Sequence, residues 1–446
     1  MELYVITFSR YFIALFAVLY TLECFLAFRH EDEAARKWIY IRQTVFSFLF
    51  HFCAFLTMYF KTGRLDILFL FAFQVIALYT LIALYGMFYP EANRLLLNNM
   101  CFLMAVGFIM LMRLNYDKAV RQFCIIAVSS VIGLFVPYLL PKWKRWDLLT
   151  YILSVLGVLV LGAVLVLGSV TNGSKLSFSI VGVTFQPSEL IKVLFVLAIA
   201  GILTMSTSFT QICISAIVAG AHVLILVFSR DLGGALIYSI AYIALVYVAT
   251  ANPLYPAGGL LAGGIASYGA YRIFSHVQVR IRAWLDPWSD IDATGYQITQ
   301  SLFAIGCGGM FGLGLYHGSP NSIPHVETDF IFSALAEELG TIVGICLILV
   351  CVSCFLMLMK VAMGMREIFP RLCIVGFAVT YLIQVFLTIG GGMKLIPLTG
   401  VTLPLVSYGG SSVLGTILMF SFVQGFIVIG EKRKNGFAEK KQKEES

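Results

Sequence analysis

The chain has 446 residues, of which 60% are hydrophobic and only 12% are charged. A soluble domain is typically about 45–50% apolar and roughly 25% charged, so this much apolar surface does not fit inside one or two soluble cores. The composition excludes a soluble enzyme, a disordered scaffold and a collagen-like fibre, and it predicts a polytopic membrane protein. The net charge is +7, but the basic residues lie between apolar runs rather than on one patch, which favours cytoplasmic loops over nucleic-acid binding.

The apolar runs, such as 148–168 and 339–359, are long and unbroken. A membrane-spanning helix needs about 20 such residues, whereas a membrane β-barrel shows alternating strands of about 10 residues. The sequence therefore predicts an all-α polytopic membrane protein. Thirteen spans are expected, three at about 5–28, 39–60 and 66–88, and ten at about 95–113, 121–140, 148–168, 187–204, 211–229, 233–250, 254–274, 339–360, 371–391 and 404–429.

Two connections are longer than the rest. Residues 169–186 form a polar loop with an Asn172-Gly173 turn, and the segment 275–338 holds most of the polar motifs. The tail 431–446 carries six Lys or Arg and four Glu, and it is predicted to be a solvated, frayed end. If this basic tail is cytoplasmic, thirteen spans place the N-terminus outside and bring both long connections to the outer face.

Ionisable residues at membrane depth are costly, so they are candidates for function. At the predicted start of one span, Glu189 and Lys192 are three residues apart on one helix face and suit an ion pair. The alternatives are a structural pair at a helix start and a polar lining of a substrate groove. Asp231 lies at a corner between two apolar runs, where a structural turn is equally compatible with the sequence.

Asp329 is a lone carboxylate between Thr328 and the aromatic run Phe330-Ile331-Phe332. Desolvation in such surroundings raises the pKa of a carboxyl group and suits it to general-base catalysis. The alternative is an acidic N-cap of the following helix. The glycine-rich run 306–314 lacks the Lys-Ser/Thr of a phosphate-binding P-loop.

The segment 397–412 contains two prolines and the run Ser407-Tyr408-Gly409-Gly410-Ser411-Ser412. Proline and glycine interrupt the helix there, and broken backbone at membrane depth requires a cavity or protein cover. Small-residue packing against a neighbouring helix is the alternative. No zinc-ligand spacing and no nucleophile motif occurs in the sequence.

Seven motifs occur in a fixed order along the chain. They are Gln186-Pro187-Ser188-Glu189-Leu190 with Lys192, Asp231-Leu232-Gly233, Arg280 with Asp286-Pro287, Gly295-Tyr296-Gln297 with Gln300-Ser301, Thr328-Asp329-Phe330 with Glu337-Glu338, Pro397 with Thr399-Gly400, and Leu403-Pro404 with 406–412. This set of motifs resembles the SEDS family, which comprises the RodA, FtsW and SpoVE proteins. The resemblance covers about residues 95–430. It implies a ten-span SEDS-type bundle at 91–430 with a long extracellular loop 275–338, preceded by three additional transmembrane helices at 1–90 and followed by the basic cytoplasmic tail.

The resemblance implies a peptidoglycan glycosyltransferase in the bacterial cytoplasmic membrane, with its active site on the extracellular face. The family polymerises lipid II, an undecaprenyl-pyrophosphate-linked disaccharide-peptide, and works with a class B penicillin-binding protein. Asp329 matches the family's essential acid and is the expected general base. No covalently bound cofactor is expected, although a divalent cation, Mg or Mn, is a candidate for the leaving diphosphate. Membrane lipids and the substrate are the other expected partners. Nucleic acid is not expected as a partner.

The motifs also supply the expected substrate-binding residues, which are Glu189, Lys192, Asp231, Arg280, Arg282, Gln297, Gln300, Ser301, Glu337, Glu338, Pro397, Thr399, Ser407, Gly409, Gly410 and Ser411. Three positions depart from the family pattern, at Ser229-Arg230, Ser177 and Thr388.

Two other functions compete with the enzyme, namely a flippase for lipid II and a non-catalytic scaffold that recruits a penicillin-binding protein. Transporters often contain internal repeats, and none is evident here. The polar motifs instead cluster at the predicted outer face, which favours the enzyme. The first three spans carry no family motif and are interpreted as a docking or regulatory bundle.

Overall fold

The computed structural model describes residues 2–143, 146–171, 174–180 and 183–445, and it confirms the predicted helical bundle. The helices of these residues are α1 (Glu2–Arg29), α2 (Glu33–Thr62), α3 (Leu65–Phe88), α4 (Arg94–Leu114), α5 (Tyr116–Leu139), α6 (Trp146–Leu167), α7 (Pro187–Met205), α8 (Phe209–Phe228), α9 (Leu232–Thr250), α10 (Leu254–Ile273), α11 (Ser275–Leu285), α12 (Tyr296–Gly308), α13 (Ile331–Gly364), α14 (Ile368–Gly392) and α15 (Gly410–Glu445). Side-chain caps fix several starts, because Asp32, Asn93, Asn115, Ser208 and Asp231 each accept a backbone N–H of the first turn.

Twelve helices of the described chain are long and apolar enough to cross a membrane. They correspond to twelve of the thirteen predicted spans. The thirteenth, predicted at 254–274, is α10, whose five glycines reduce its apolar character and whose described residues are all at least partly exposed. Because α9 begins beside the 399–401 loop and α11 contacts the same loop, α10 brings the chain back toward the end at which α9 begins.

The two ends of the bundle carry different groups. At one end Arg10, near the start of α1, donates to the carbonyl of Gly312 at 3.3 Å. At the other end residues of the α15 tail, such as Arg433, line a cavity together with Arg36 and Arg366. The beginning of α1 and the end of the last span therefore lie at opposite ends of the bundle.

Helix α4 is the most enclosed element of the described bundle, since every residue from Leu95 to Met112 is buried. A helix at a protein surface normally buries a single stripe. Here α2, α3, α5 and α13 pack against α4, and α1 reaches it through Tyr20. The predicted boundary near residue 90 therefore does not separate two hydrophobic cores, because residues on both sides of it belong to one core.

Polar contacts inside this core join the N-terminal helices to the rest. The hydroxyl of Tyr20 donates to Asn99 Oδ1 at 3.0 Å, and Asn99 Nδ2 donates to Ser353 Oγ at 3.2 Å. The Tyr20 ring stacks on Phe102 with the ring centroids 4.0 Å apart. Asn99 therefore connects α1 to α13 through the buried middle of α4.

The predicted loop 169–186 contains a small antiparallel sheet, formed by β1 (Ser169–Thr171), β2 (Ser174–Ile180) and β3 (Val183–Phe185) in that spatial order. The predicted Asn172-Gly173 turn lies outside the described residues. The tail differs from the frayed end predicted, because α15 continues as a helix through Glu445.

The Tyr20–Asn99–Ser353 contacts predict a stability effect. Asn99→Ala leaves the Tyr20 hydroxyl and Ser353 without their shared partner, and an unsatisfied buried polar group costs about 1–3 kcal/mol. We expect a lower midpoint of thermal unfolding in detergent micelles, measured on purified protein. The double change Tyr20→Phe with Asn99→Leu removes both members of one contact and should cost less. Equal midpoints for Asn99→Ala and the wild type would contradict this role.

Candidate active site at the Asp329 end

Asp329 lies in a tight turn just before α13. Its backbone N–H and the Thr328 hydroxyl both donate to the carbonyl of His325, at 3.1 and 3.0 Å, and His325 adopts a left-handed conformation with φ of 58°. The N-cap of α13 is Phe330, so Asp329 precedes the cap. The alternative interpretation of Asp329 as the helix N-cap is therefore wrong.

The Ser407-Tyr408 segment holds this turn from outside. Ser407 Oγ donates to the carbonyl of Thr328 at 2.5 Å, and the backbone N–H of Tyr408 donates to the carbonyl of Glu327 at 2.8 Å. The ammonium group of Lys118 forms an ion pair with Glu327. Ser407 is buried, so its position assigns it to holding the Asp329 turn in place.

The space facing Asp329 is kept open by Gly400. A Cβ atom on Gly400 would lie 3.9 Å from Asp329 Oδ2 and 4.0 Å from Arg280 Nη2, so a larger side chain would intrude between the two charged groups. The φ of Gly400 is 77°, a conformation that favours glycine. Arg280 Nη1 also donates to the carbonyl of Thr399 at 3.3 Å. The structure thus brings together Asp329, Arg280 and the predicted Thr399-Gly400 turn.

The pKa of Asp329 suits a base that works near neutral pH. Burial against the surrounding protein raises the pKa of this carboxyl to about 6, while the nearby His325, the Thr328 side chain and Arg280 hold it from rising further. Burial in turn lowers the pKa of Arg280, although Asp329 and Asp231 oppose that change. Ionisable groups whose pKa values are shifted by burial and by a nearby opposite charge are typical of catalytic sites.

The predicted ion pair between Glu189 and Lys192 is confirmed. Lys192 Nζ lies 2.8 Å from Glu189 Oε2 and donates to Gln384 Oε1 at 2.6 Å, and Lys192 is only 2% exposed. Gln384 Nε2 donates onward to the carbonyl of Thr402 and to Ser412 Oγ, each at 3.1 Å. The pair therefore connects the start of α7 to α14 and to the segment before α15.

Asp231 has a structural task at the start of α9. Its Oδ1 accepts the backbone N–H of Gly234 at 2.8 Å, and Ser188 Oγ approaches Oδ2 at 3.5 Å. Burial raises the pKa of this carboxyl, although the Gly234 N–H opposes the rise. The predicted structural turn is present. The charges of Asp231 and Asp329 both act on the pKa of Arg280, so Arg280 links this turn electrostatically to the Asp329 centre.

Several predicted binding residues are buried or half-buried supports of the site. Ser301 Oγ lies 2.7 Å from the carbonyl oxygen of Gly392 and 2.6 Å from Ser333 Oγ, which fixes α12 against α13 and α14. Ser411 Oγ accepts the backbone N–H of Gln186 at 2.9 Å. Gly409 donates its N–H to Gln122 Oε1 at 3.3 Å.

Other predicted binding residues are exposed or partly exposed. Arg282 is exposed on α11, while Gln297, Gln300 and Pro397 are partly exposed. Gln297 and Gln300 carry amide groups on the exposed side of α12, where they are accessible to a ligand. Gly410 begins α15.

Glu337 and Glu338 lie about two turns further along α13 than Asp329. Arg113 Nη2 is 2.7 Å from Glu338 Oε1, and Glu337 Oε1 accepts the backbone N–H of Ser319 at 2.8 Å. Both carboxylates are buried, which gives them a structural place apart from the Asp329 centre.

The glycine-rich run clamps a break in α13. Gly340 is non-helical, with φ 91° and ψ 168°, and the backbone of the run donates to the carbonyls of Glu337 and Glu338 at 2.9 Å through Leu313 and Gly314. A Cβ on Gly312 would lie 2.2 Å from the Glu338 carbonyl oxygen. The glycines are therefore required by close backbone approach.

Sequence reasoning missed Arg113, Lys118, Glu327 and Gln122 as supports of the site. A signal existed for two of them, because Arg113 and Lys118 fall on the predicted outer face against the positive-inside rule. Cations in that place are balanced by specific partners, Glu338 and Glu327. In the described residues no three His, Cys, Asp or Glu side chains converge on a common point where a metal ion would fit.

The chain matches a family model described as "Cell cycle protein", of the FtsW, RodA and SpoVE proteins, over residues 93–427. It is 32% identical to the peptidoglycan glycosyltransferase RodA of Mycobacterium tuberculosis over 373 residues, which cover 75% of this chain and 78% of that protein. It is 33% identical to the stage V sporulation protein E of Bacillus subtilis over 282 residues, covering 60% and 75% of the two chains.

Two solved structures share this fold. One chain belongs to a peptidoglycan synthase complex that coordinates polymerization and crosslinking, with a TM-score of 0.63, 28% identity and coverage of 77% of this chain and 98% of that one. The other is the rod shape determining protein RodA of Thermus thermophilus, with a TM-score of 0.54, 25% identity and coverage of 76% and 97%. The twelve apolar helices of the described residues and the family match agree, and this multi-pass membrane protein belongs to the FtsW/RodA/SpoVE family, the SEDS proteins.

Proposed function

We propose that the chain is a peptidoglycan glycosyltransferase that polymerises lipid II, with Asp329 as its general base. The observation that carries the proposal is the carboxyl of Asp329, with a pKa raised to about 6, facing Arg280 across the space above Gly400. The names of the similar proteins, among them the peptidoglycan glycosyltransferase RodA of Mycobacterium tuberculosis, support the reaction class.

In the proposed reaction, Asp329 accepts the proton of the acceptor sugar's 4-hydroxyl as that oxygen attacks the anomeric carbon of the donor. The new carbon–oxygen bond forms while the bond from the anomeric carbon to the lipid diphosphate breaks, and the diphosphate leaves with the electron pair. A general base of this kind typically contributes 10²–10⁴-fold in rate.

The negative charge on the leaving diphosphate requires nearby cations. Arg280 faces the reaction space, and exposed Arg282 lies two residues further along α11. Lys192 is buried and already bound to Glu189 and Gln384, so we assign it to holding the groove. A divalent cation, Mg or Mn, would bind through substrate phosphates and one carboxylate, as Mg²⁺ often does.

The Asp329 end is proposed to face the outside of the cytoplasmic membrane. Five cations lie together at the opposite end of the bundle, namely Arg36, Arg366, Lys432, Arg433 and Lys434. The positive-inside rule expects such a cluster at a cytoplasmic face. A class B penicillin-binding protein is the proposed partner, because the structurally similar chain comes from a complex that joins polymerization to crosslinking.

The base assignment predicts that Asp329→Asn lowers the rate of polymerisation by about 10²–10⁴-fold, which is the usual contribution of a general base. The reason is that the amide cannot accept the proton. The measurement is glycan-strand formation from labelled lipid II by purified protein at matched amounts, with a divalent cation present. Asp290→Asn is a matched control, since Asp290 is exposed in the same outer segment and bonds within its own turn to Thr294. Near wild-type polymerisation by Asp329→Asn would show that another group is the base.

The pKa of Asp329 predicts the acid side of the pH profile. The base works only when deprotonated, so kcat/KM should fall as the pH drops through about 6. Arg280 lowers this pKa, so Arg280→Gln should move the acid limb to higher pH as well as slow the reaction. The position of the acid limb is measured from initial rates of polymer formation at about pH 5–8. Histidines and carboxyl groups with raised pKa values titrate in this range. An unchanged limb position in Arg280→Gln would argue against their coupling.

The buried ion pair predicts non-additive losses. Removing one partner of a buried pair leaves an uncompensated charge, so Glu189→Gln and Lys192→Met should each reduce polymerisation strongly, and the double variant should lose less than the two losses combined. Contacting residues typically couple by about 0.5–3 kcal/mol. The exposed pair Arg64–Asp66 is the control, where Arg64→Gln and Asp66→Asn should change little. Strict additivity at Glu189 and Lys192 would mean that their contact is unimportant for the reaction.

A further inference from the structure

A cavity of about 1890 Å³ opens at the end of the bundle opposite Asp329. One wall comes from the first turns of α2 and from the turn between α3 and α4, and the facing walls come from the ends of α5, α7, α13 and α15. The N-terminal helices and the family core therefore build this cavity jointly. Its residues take no part in the Asp329 centre.

The rim of the cavity is strongly basic. Seven Lys or Arg side chains line it, against four Glu. Arg433 pairs with Glu367, Lys434 lies 2.5 Å from Glu431, and Arg94 donates to the Ile82 carbonyl at 3.3 Å.

Within the described residues, the side chains of Arg36, Lys37, Arg366 and Lys432 form no hydrogen bond or ion pair. The two remaining acids of the lining are Glu33 and Glu91. The unpaired charge of the rim is thus positive, and it favours an anionic ligand.

Apolar side chains also line the cavity. Ile41 and Trp143 do so while remaining 42% and 40% exposed. Leu140 and Phe426 continue the apolar wall inward, where both are buried. A ligand that matches this lining has an anionic head and apolar chains that extend sideways into the bilayer.

We propose that this cavity binds an anionic phospholipid of the inner leaflet, with its phosphate between Arg36 and Arg366 and its acyl chains along Ile41 and Trp143. Basic pockets between transmembrane helices on the cytoplasmic side are known as sites for anionic lipid headgroups. A free phosphate or nucleotide would leave the apolar walls uncovered, and hydrocarbon chains cover them. The bound lipid would join the N-terminal helices to the family core.

The test uses the purified full-length protein in detergent micelles, titrated with phosphatidylglycerol, phosphatidylcholine or glycerol 3-phosphate. A ligand that binds the folded state raises the unfolding midpoint in a saturable way. We expect phosphatidylglycerol to do so and the other two to have little effect. Retained lipid is counted in parallel by native mass spectrometry.

The variant Arg36→Gln with Arg366→Gln should lose at least half of the phosphatidylglycerol shift and of the retained lipid. The control Lys61→Gln with Arg121→Gln removes two cations at the opposite end and should keep both. Should the double variant fail to fold, Arg366→Gln alone serves, since Arg366 is exposed. Equal shifts by phosphatidylcholine, equal shifts by glycerol 3-phosphate, or equal retention by the variant and the control would each overturn the proposal.

Discussion

The structure of the site depends on one constraint, which is that non-helical backbone at the end of a membrane bundle must find hydrogen-bond partners inside the protein. The segment between α14 and α15 meets it through side chains. Ser407 Oγ accepts the N–H of Leu403 at 3.0 Å, and Gln122 Nε2 donates to the Ser407 carbonyl at 3.1 Å. Once this segment is fixed, it holds the turn that carries Asp329 through the Ser407–Thr328 contact.

The same segment connects the two charged groups of the site. Thr402 accepts from Gln384, which in turn accepts from Lys192, and Thr399 accepts from Arg280. The buried pair of α7 and the Asp329–Arg280 centre thus share one scaffold. Charges desolvated in this way interact more strongly than they would in water, because the local dielectric constant is lower.

The N-terminal helices are part of the packing rather than an attached module. They pack against α4, whose C-terminal end carries Arg113, and Arg113 pairs with Glu338 beside the break in α13. Near the same place Arg10 contacts the glycine-rich run, and Tyr11 meets Phe311 edge-on with the centroids 5.1 Å apart. At the opposite end these helices form one wall of the basic cavity. They therefore contact the family core at both ends of the bundle.

The sequence by itself determined the class of fold and the local features. Hydrophobic runs of membrane length predicted the spans, and the three-residue spacing of Glu189 and Lys192 predicted their ion pair, because both signals depend on neighbours along one helix. The motif around Asp329 singled out the candidate base. The flanking aromatic residues predicted that its carboxyl group is desolvated. The glycines of α10 weakened the same hydrophobic signal, and the short sheet within 169–185 carried no periodic pattern long enough to predict.

Only the tertiary structure decided which distant residues meet. Gln122 and Ser407 are 285 residues apart, Arg113 and Glu338 are 225 apart, and Arg280 and Thr399 are 119 apart. No periodicity along the chain encodes such pairs, since they follow from how the helices pack and from where broken backbone must be satisfied. The same holds for Gly400, whose glycine is explained by the two charges on either side of it. The basic cavity exists for this reason too, because its walls come from helices that are separated by most of the sequence.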